Sequence, residues 1–258
     1  NINVAADCEL NFFATSAAVV AYNSGLVENC RNYADIRAVS CWIGGISGQN
    51  TKEGKIKNCF NAGNIVGGYG QVAGIAGATY SVIENCMNVG RIEIRQLATN
   101  FATQLQSAGG IAGTSSSGGK FVNCVNAGTI SAQNKRAGGI VGYWCPILET
   151  TTASYYRNDM INCVNFGTVF SGDAATNGAM AGGESQSTSQ DIRGNYWDIQ
   201  ILDIPADANA DHEGMTGVAT SFLTSGTALE WQLQAKTHKY QIPQPYRDIP
   251  LKTLDKYK

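Results

Sequence analysis

Charge is scarce in these 258 residues: only 15% are Asp, Glu, Lys or Arg, and 18 basic against 20 acidic side chains leave a net charge of −2. So thin a balance offers no basic footprint for nucleic acid or for an anionic membrane surface. Histidine is scarcer, with only His212 and His238, and there is no Cys-x-x-Cys pair. The usual zinc and thiol-redox arrangements are therefore missing. So is the metalloprotease signature His-Glu-x-x-His, because Gly214, Met215 and Thr216 follow His212-Glu213. There is no Gly-x-Ser-x-Gly elbow, and no run approaches the length of about 18 apolar residues that a membrane helix needs. Asn1 opens the chain without a charged, apolar, cleavable leader, which reads as a removed signal or a start inside a longer protein. No catalytic residue, cofactor site or metal site is assigned, and no membrane insertion is expected of this segment.

What the chain does have is repetition. NCRNYADI from Asn29, NCFNAGNI from Asn58, NCMNVGRI from Asn85, NCVNAGTI from Asn123 and NCVNFGTV from Asn162 are five versions of one phrase. Each is coupled to a glycine-rich phrase ending at Gly48, Gly77, Gly113, Gly142 or, more weakly, Gly182. Fixed-order repetition means one supersecondary unit stacked many times. The intervals between copies are 29, 27, 38 and 39 residues. Paired-helix repeats hold their period, whereas a β-solenoid tolerates loops at its corners, so variable spacing favours the solenoid. Composition agrees: segments such as KFVNCVNAG are short, rich in apolar and β-branched residues, and closed by Gly. As helix interiors, their Asn and Gly would cost roughly 0.7–1 kcal/mol each relative to Ala.

Period-two alternation within Phe121 to Asn126 places Val122, Cys124 and Asn126 on one face and Phe121, Asn123 and Val125 on the other. With the first set inward, Cys30, Cys59, Cys86, Cys124 and Cys163 stack as a ladder at about 4.8 Å per coil. Buried packing is the favoured role for these thiols, bridging between coils the alternative. The Asn three residues after each copy's first (Asn32, Asn61, Asn88, Asn126, Asn165) suits a turn, and its amide can bond from coil to coil.

The expected architecture is all-β: a right-handed parallel β-helix of about five to six coils with a C-terminal cap containing a short helix. Residues 1–28 read as a degenerate first coil or short helical cap, 29–198 as the repeats, and 199–258 as the capping segment. Within the last, SFLTSGTALEWQLQ at 221–234 reads as a helix interrupted by Gly226, and Pro243, Pro245 and Pro250 impose an extended tail. Such a cap covers the open backbone that a solenoid leaves at its end.

Two near-motifs fall away. Gly68, Gly70 and Ala73 approach a dinucleotide fingerprint but lie between strands with no following helix. The acidic stretch Asp207, Asn209, Asp211, Glu213 alternates oxygen ligands like a calcium loop, yet Gly214 comes late and no closing Glu follows, so it reads as a solvated loop. Enzymes on parallel β-helices need converging acids and bases, and here Asp35, Glu84, Glu93 and Asp159 are scattered over the repeat. The longest interruptions are 95–107 and 143–159. The second gathers Tyr143, Trp144, Tyr155 and Tyr156, rings suited to stacking on sugars or anchoring a protein contact, and these four are the candidate ligand surface.

AGGIAG or AGGIVG coupled to NCVNAGTI, with the closing GNYWD at 194–198, resembles the GLUG repeat, here with Ile where the family name has Leu. The resemblance covers about two thirds of the chain, from Asn29 to Asp198; FLTSGTALEW and the Pro-rich end are similar, more weakly, to the terminal segment of such proteins. That family occurs in bacterial surface and secreted proteins, and beside the catalytic part of immunoglobulin A-cleaving metalloproteases. The resemblance implies a surface-exposed, adhesin-like module and does not imply protease activity; the chain is expected to be secreted or on the cell surface, to be a monomer, and to bind host protein or glycan. A polysaccharide lyase or hydrolase, or an accessory region of a larger surface protease, is the alternative.

Overall fold

The computed structural model is a parallel β-solenoid. It describes residues 1–39, 41–95, 106–116, 118–133, 135–145, 158–172, 174–183, 191–206, 213–224, 233–234 and 242–243. One turn lays five short strands on five faces, as in Lys55–Lys57 (face 1), Phe60–Asn61 (face 2), Ile65–Gly67 (face 3), Gln71–Ala73 (face 4) and Ala76–Thr79 (face 5). The stacked faces hold 6, 8, 6, 6 and 5 strands, each pairing in parallel with the equivalent strand of the next turn. Asn32, Asn61, Asn88, Asn126 and Asn165 align rung on rung, whatever the interval between copies. The additional residues of the long copies leave at corners: 95–106 between faces 3 and 4, and 146–158 between faces 5 and 1.

The alternation expected through Phe121–Asn126 is corrected at two residues. Cys124 and Asn126 do point inward, but Phe121 is buried in the interior and Val122 is not. The first Asn of every copy is the reason: Asn29, Asn58, Asn85, Asn123 and Asn162 have φ of 54, 52, 51, 52 and 52°. A left-handed residue turns the chain from face 1 to face 2 and resets the pleat, and Asn is among the few non-Gly residues that enter this region readily. Its N–H still bonds the neighbouring coil, as from Asn58 to Glu84 O at 3.0 Å. Some of these side chains join along the corner, Asn123 Nδ2 donating to Asn85 Oδ1 at 3.0 Å and Asn85 Nδ2 to Asn58 Oδ1 at 3.2 Å. The left-handed backbone thus belongs to the first Asn, while the second keeps the expected turn role through its side chain.

The second Asn forms a buried amide ladder. Nδ2 of Asn32, Asn61, Asn88 and Asn126 each donates to Oδ1 of the next at 2.8, 2.8, 2.9 and 2.8 Å, and Asn165 ends the series on Ala179 O at 2.8 Å. Each amide also closes its own turn: Asn126 donates to Gly128 O at 3.1 Å and accepts from Gly128 N at 3.2 Å. Two donors and two acceptors are all used, which is what a fully buried amide requires. Beside it runs the thiol ladder. The five repeat cysteines are buried, and each S–H donates to the carbonyl two residues back, at 3.1 Å for Cys59 to Lys57 and 3.3 Å for Cys86 to Glu84. Burial pushes the Cys86 and Cys163 thiols well up. Cys8, Cys30, Cys41, Cys59, Cys86, Cys124 and Cys163 are unbridged.

The two halves of the repeat belong together because the amide ladder needs room. A Cβ on Gly74 would lie 2.3 Å from Asn88 Oδ1, and one on Gly110 2.4 Å from Asn126 Cγ. In the last full turn Ala179 replaces this Gly, and there the next coil carries Trp197 in place of the ladder Asn. The glycine ending each phrase has a second role: a Cβ on Gly113 would lie 2.7 Å from Val72 N, so faces 4 and 5 approach backbone to backbone.

Residues 1–28 form a degenerate coil of short strands with no helix. Past Asp198 the stack continues further than the repeat phrase: Met215–Val218 adds an eighth parallel strand to face 2, and Ala179 N and Met180 N donate to Pro205 O and Ala206 O. Of the helix read at 221–234, the described part is Thr220–Thr224 (α1), residues 225–232 lie outside the described residues, and Leu233–Gln234 is a strand paired with Ile242–Pro243. Ser and Thr make weak helix interiors, and the Pro-rich tail supplies an extended partner. Among the described residues no helix is long and apolar enough to cross a membrane.

Thiol accessibility tests the inward ladder: native protein treated with iodoacetamide should be alkylated at the exposed Cys8 and Cys41, and at the five ladder cysteines only after denaturation. Urea unfolding tests the amides. Asn126→Leu strands Asn88 Nδ2, Asn165 Oδ1 and the Gly128 groups, and should cost at least ~3 kcal/mol. Gly110→Ala should cost about 1–3 kcal/mol through overpacking, whereas Gly25→Ala, with nothing within 4 Å of the new Cβ, should leave the midpoint in place.

Candidate functional site

The strand Val141–Cys145 runs along the edge of face 5 and leads into the longest interruption. Register fixes where its side chains go. Trp144 aligns with Ser115, Thr79, Asn50 and Asn23, and every member of that row is buried. Asn23 Nδ2 donates to Asn50 Oδ1 at 2.8 Å and Asn50 Nδ2 to Thr79 Oγ1 at 3.1 Å, so the row is a second polar ladder. Trp144 ends it with a ring 0% exposed, packed in the interior cluster. It therefore adds core volume to the last turns and presents no surface to a ligand. The row's other members are polar, so hydropathy gave no inward signal at this position; only the rung alignment reveals it.

Tyr143, one residue earlier, aligns with Thr114, Ala78, Gln49 and Tyr22 on the opposite side of the strand. It is half-buried, and the Arg136 guanidinium from face 4 lies over its ring at 4.2 Å from the centroid. A cation over an aromatic face is worth about 0.5–1 kcal/mol at a partly exposed site and holds both groups in place. Together they form a flat platform beside the corner from which residues 146–157 depart. Its chemistry suits recognition: the ring offers a stacking face and the guanidinium offers donors in a fixed fork. Tyr155 and Tyr156 lie outside the described residues, as do Asp207, Asn209 and Asp211 of the acidic stretch and most of the 95–107 interruption. Arg136 escaped the sequence reading because its equivalents are Ser107, Gln71 and Trp42, with no shared chemistry.

The carboxylates are tied to neighbours on the stack. Among the described residues two are buried, Glu93 and Asp198. Glu93 receives Arg95 Nε at 2.7 Å and Arg91 at 3.1 Å, and the Arg95 guanidinium holds its carboxyl below the usual range. Asp198 accepts the Thr220 hydroxyl at 2.6 Å and the Gln200 N–H at 3.0 Å, fastening the start of α1. On faces 1 and 3, Glu84 pairs with Lys57 at 2.7 Å, Asp159 with Lys120 at 3.3 Å, and Asp35 accepts from Asn64. Among the described residues no three His, Cys, Asp or Glu side chains gather closely enough to hold a metal ion.

The two neighbouring rings should separate cleanly on substitution. Trp144→Ala should lower stability by about 3–5 kcal/mol, while Tyr143→Ala, which truncates a half-buried ring, should cost less, about 1–2 kcal/mol; thermal and urea unfolding measure both. Compared with family models, curated proteins and solved structures, the chain finds no match.

Proposed function

We propose that this protein is a non-enzymatic, secreted or cell-surface adhesin-like module that presents loops on a rigid solenoid to a host protein or glycan. The observation that carries the reading is where the interruptions fall. The two long insertions leave at corners, and the strands before and after them keep the same register as the uninterrupted turns. A scaffold so regular can hold variable loops without altering its own packing, which is how rigid folds commonly bear recognition sites. The Arg136–Tyr143 platform stands at the root of one such loop. The resemblance of the repeat phrase to GLUG proteins points the same way. Each buried carboxylate among the described residues is committed to a structural bond, Glu93 to Arg95 and Asp198 to Thr220.

Arrays of glycans and of extracellular matrix proteins, run beside assays on uronic-acid polymers, test the proposal. Binding to an array component should fall at least tenfold when residues 147–156 are replaced by a short Gly-Ser linker, with the unfolding midpoint retained. Turnover of any polymer by the unaltered chain would replace this reading with the enzymatic one.

A further inference from the structure

Several cations of the stack stand beside anions. Lys57 pairs with Glu84 and Lys120 with Asp159, Arg91 and Arg95 both reach Glu93, and Arg193 reaches Asp191. Arg136 is different. It is half-buried, yet among the described residues it forms no ion pair and its side-chain donors reach no acceptor; its contact is the face of the Tyr143 ring at 4.2 Å. The rows that flank it supply no counter-ion. Its own row on face 4 holds Trp42, Gln71 and Ser107, and the row of Tyr143 on face 5 holds Tyr22, Gln49, Ala78 and Thr114, all uncharged. The residue before it is Lys135. The platform is thus a local positive site on a chain whose net charge is −2.

Stability does not explain this arrangement. Holding a long Arg side chain in one place gives up rotamer freedom on a scale at least as large as a partly exposed cation–ring contact returns. Neighbouring rungs close with Ser107 or Gln71 at the same position. What the arrangement does achieve is preorganisation. Tyr143 holds the guanidinium by its charge and takes none of its N–H groups, so the fork that grips a carboxylate through two parallel bonds is set before any ligand arrives. The neighbouring ring narrows the choice of ligand. Part of Tyr143 remains in solvent, and apolar ring surface beside a carboxylate fork suits a carboxylate fixed on a rigid ring. A sugar acid has that form, its carboxylate and the C–H face of its pyranose held in one relation. The carboxylate of an Asp or Glu side chain comes instead on a flexible stem with no flat body beside it.

We infer, building on the adhesin-like reading, that the Arg136–Tyr143 platform binds a carboxylate-bearing sugar of a glycan, a uronic or sialic acid, with Arg136 holding the carboxylate and Tyr143 the sugar ring. Paired probes that differ only at the carboxylate test this on the full chain: polygalacturonate against its carboxyl-reduced form, and sialyllactose against lactose. One acidic probe should bind at least tenfold more tightly than its neutral counterpart, which also tells the uronic acid from the sialic acid. Arg136→Gln should remove that difference with the unfolding midpoint retained, and Arg136→Lys, which keeps the charge but loses the fork, should restore only part of it. The probe comparison stands even if a variant fails to fold. Equal binding of acidic and neutral probes, binding that Arg136→Gln leaves unchanged, or binding confined to protein components such as acidic peptides would overturn the assignment and leave the adhesin-like reading in place. Absence of binding to any glycan or matrix protein would overturn both.

Discussion

A buried carboxamide has two hydrogens to give and two lone pairs to fill, and in the interior of this solenoid there is one arrangement that satisfies all four. Asn88 and Asn126 each bond the rung before, the rung after, and both groups of their own turn. A shift of one residue in any strand would strand several buried polar atoms at about 1–3 kcal/mol each. The ladder therefore fixes register where the apolar pattern alone could not, since a strand of two residues such as Val125–Asn126 has almost no pattern to read. Other constant features of the repeat follow. Gly stands where a Cβ would strike the next amide, and Cys supplies a small apolar side chain beside it.

Much of this was legible in the sequence because repetition turns one ambiguous strand into five aligned copies. The inward Cys and Asn followed from alternation, and the corner positions of the insertions from unequal intervals. Alternation failed at one residue per turn, for a conformational reason: Asn123 at φ 52° is not extended, so Phe121 and Cys124 share a side although they are three apart. Both Asn residues of the phrase are of the type that tolerates left-handed backbone. Composition cannot say which one turns and which one stacks.

At the site, sequence and structure diverge over a single neighbouring pair. Tyr143 and Trp144 look equivalent as letters, two large rings before a long loop. Their strand sends them to opposite sides, and the row that Trp144 joins is polar in every other turn. The inward direction there is recorded in hydrogen-bonding side chains such as Asn23, Asn50 and Thr79, so a search for apolar periodicity passes over it. Arg136 is legible only in three dimensions, because faces 4 and 5 must first close on their glycines to bring it over Tyr143.

The hydrogen bonding of the stack also decides where variation can be afforded. Each rung bonds only its neighbours, so residues added at a corner disturb no ladder, and doubling a loop's length costs only about 0.6 kcal/mol in closure entropy. Substitution within a rung is different: a larger residue at Gly110 or an apolar one at Asn126 is felt by two turns at once. Face 2 adds a constraint that the rungs do not supply. Its outer columns are apolar along most of the stack and form a cluster separate from the interior one, so successive turns pack against one another on a second side as well. Nearest-neighbour stacking alone would let an array open from its ends turn by turn. A second apolar seam on face 2 adds to the contacts that each turn loses on opening, and so raises the cost of opening from an end.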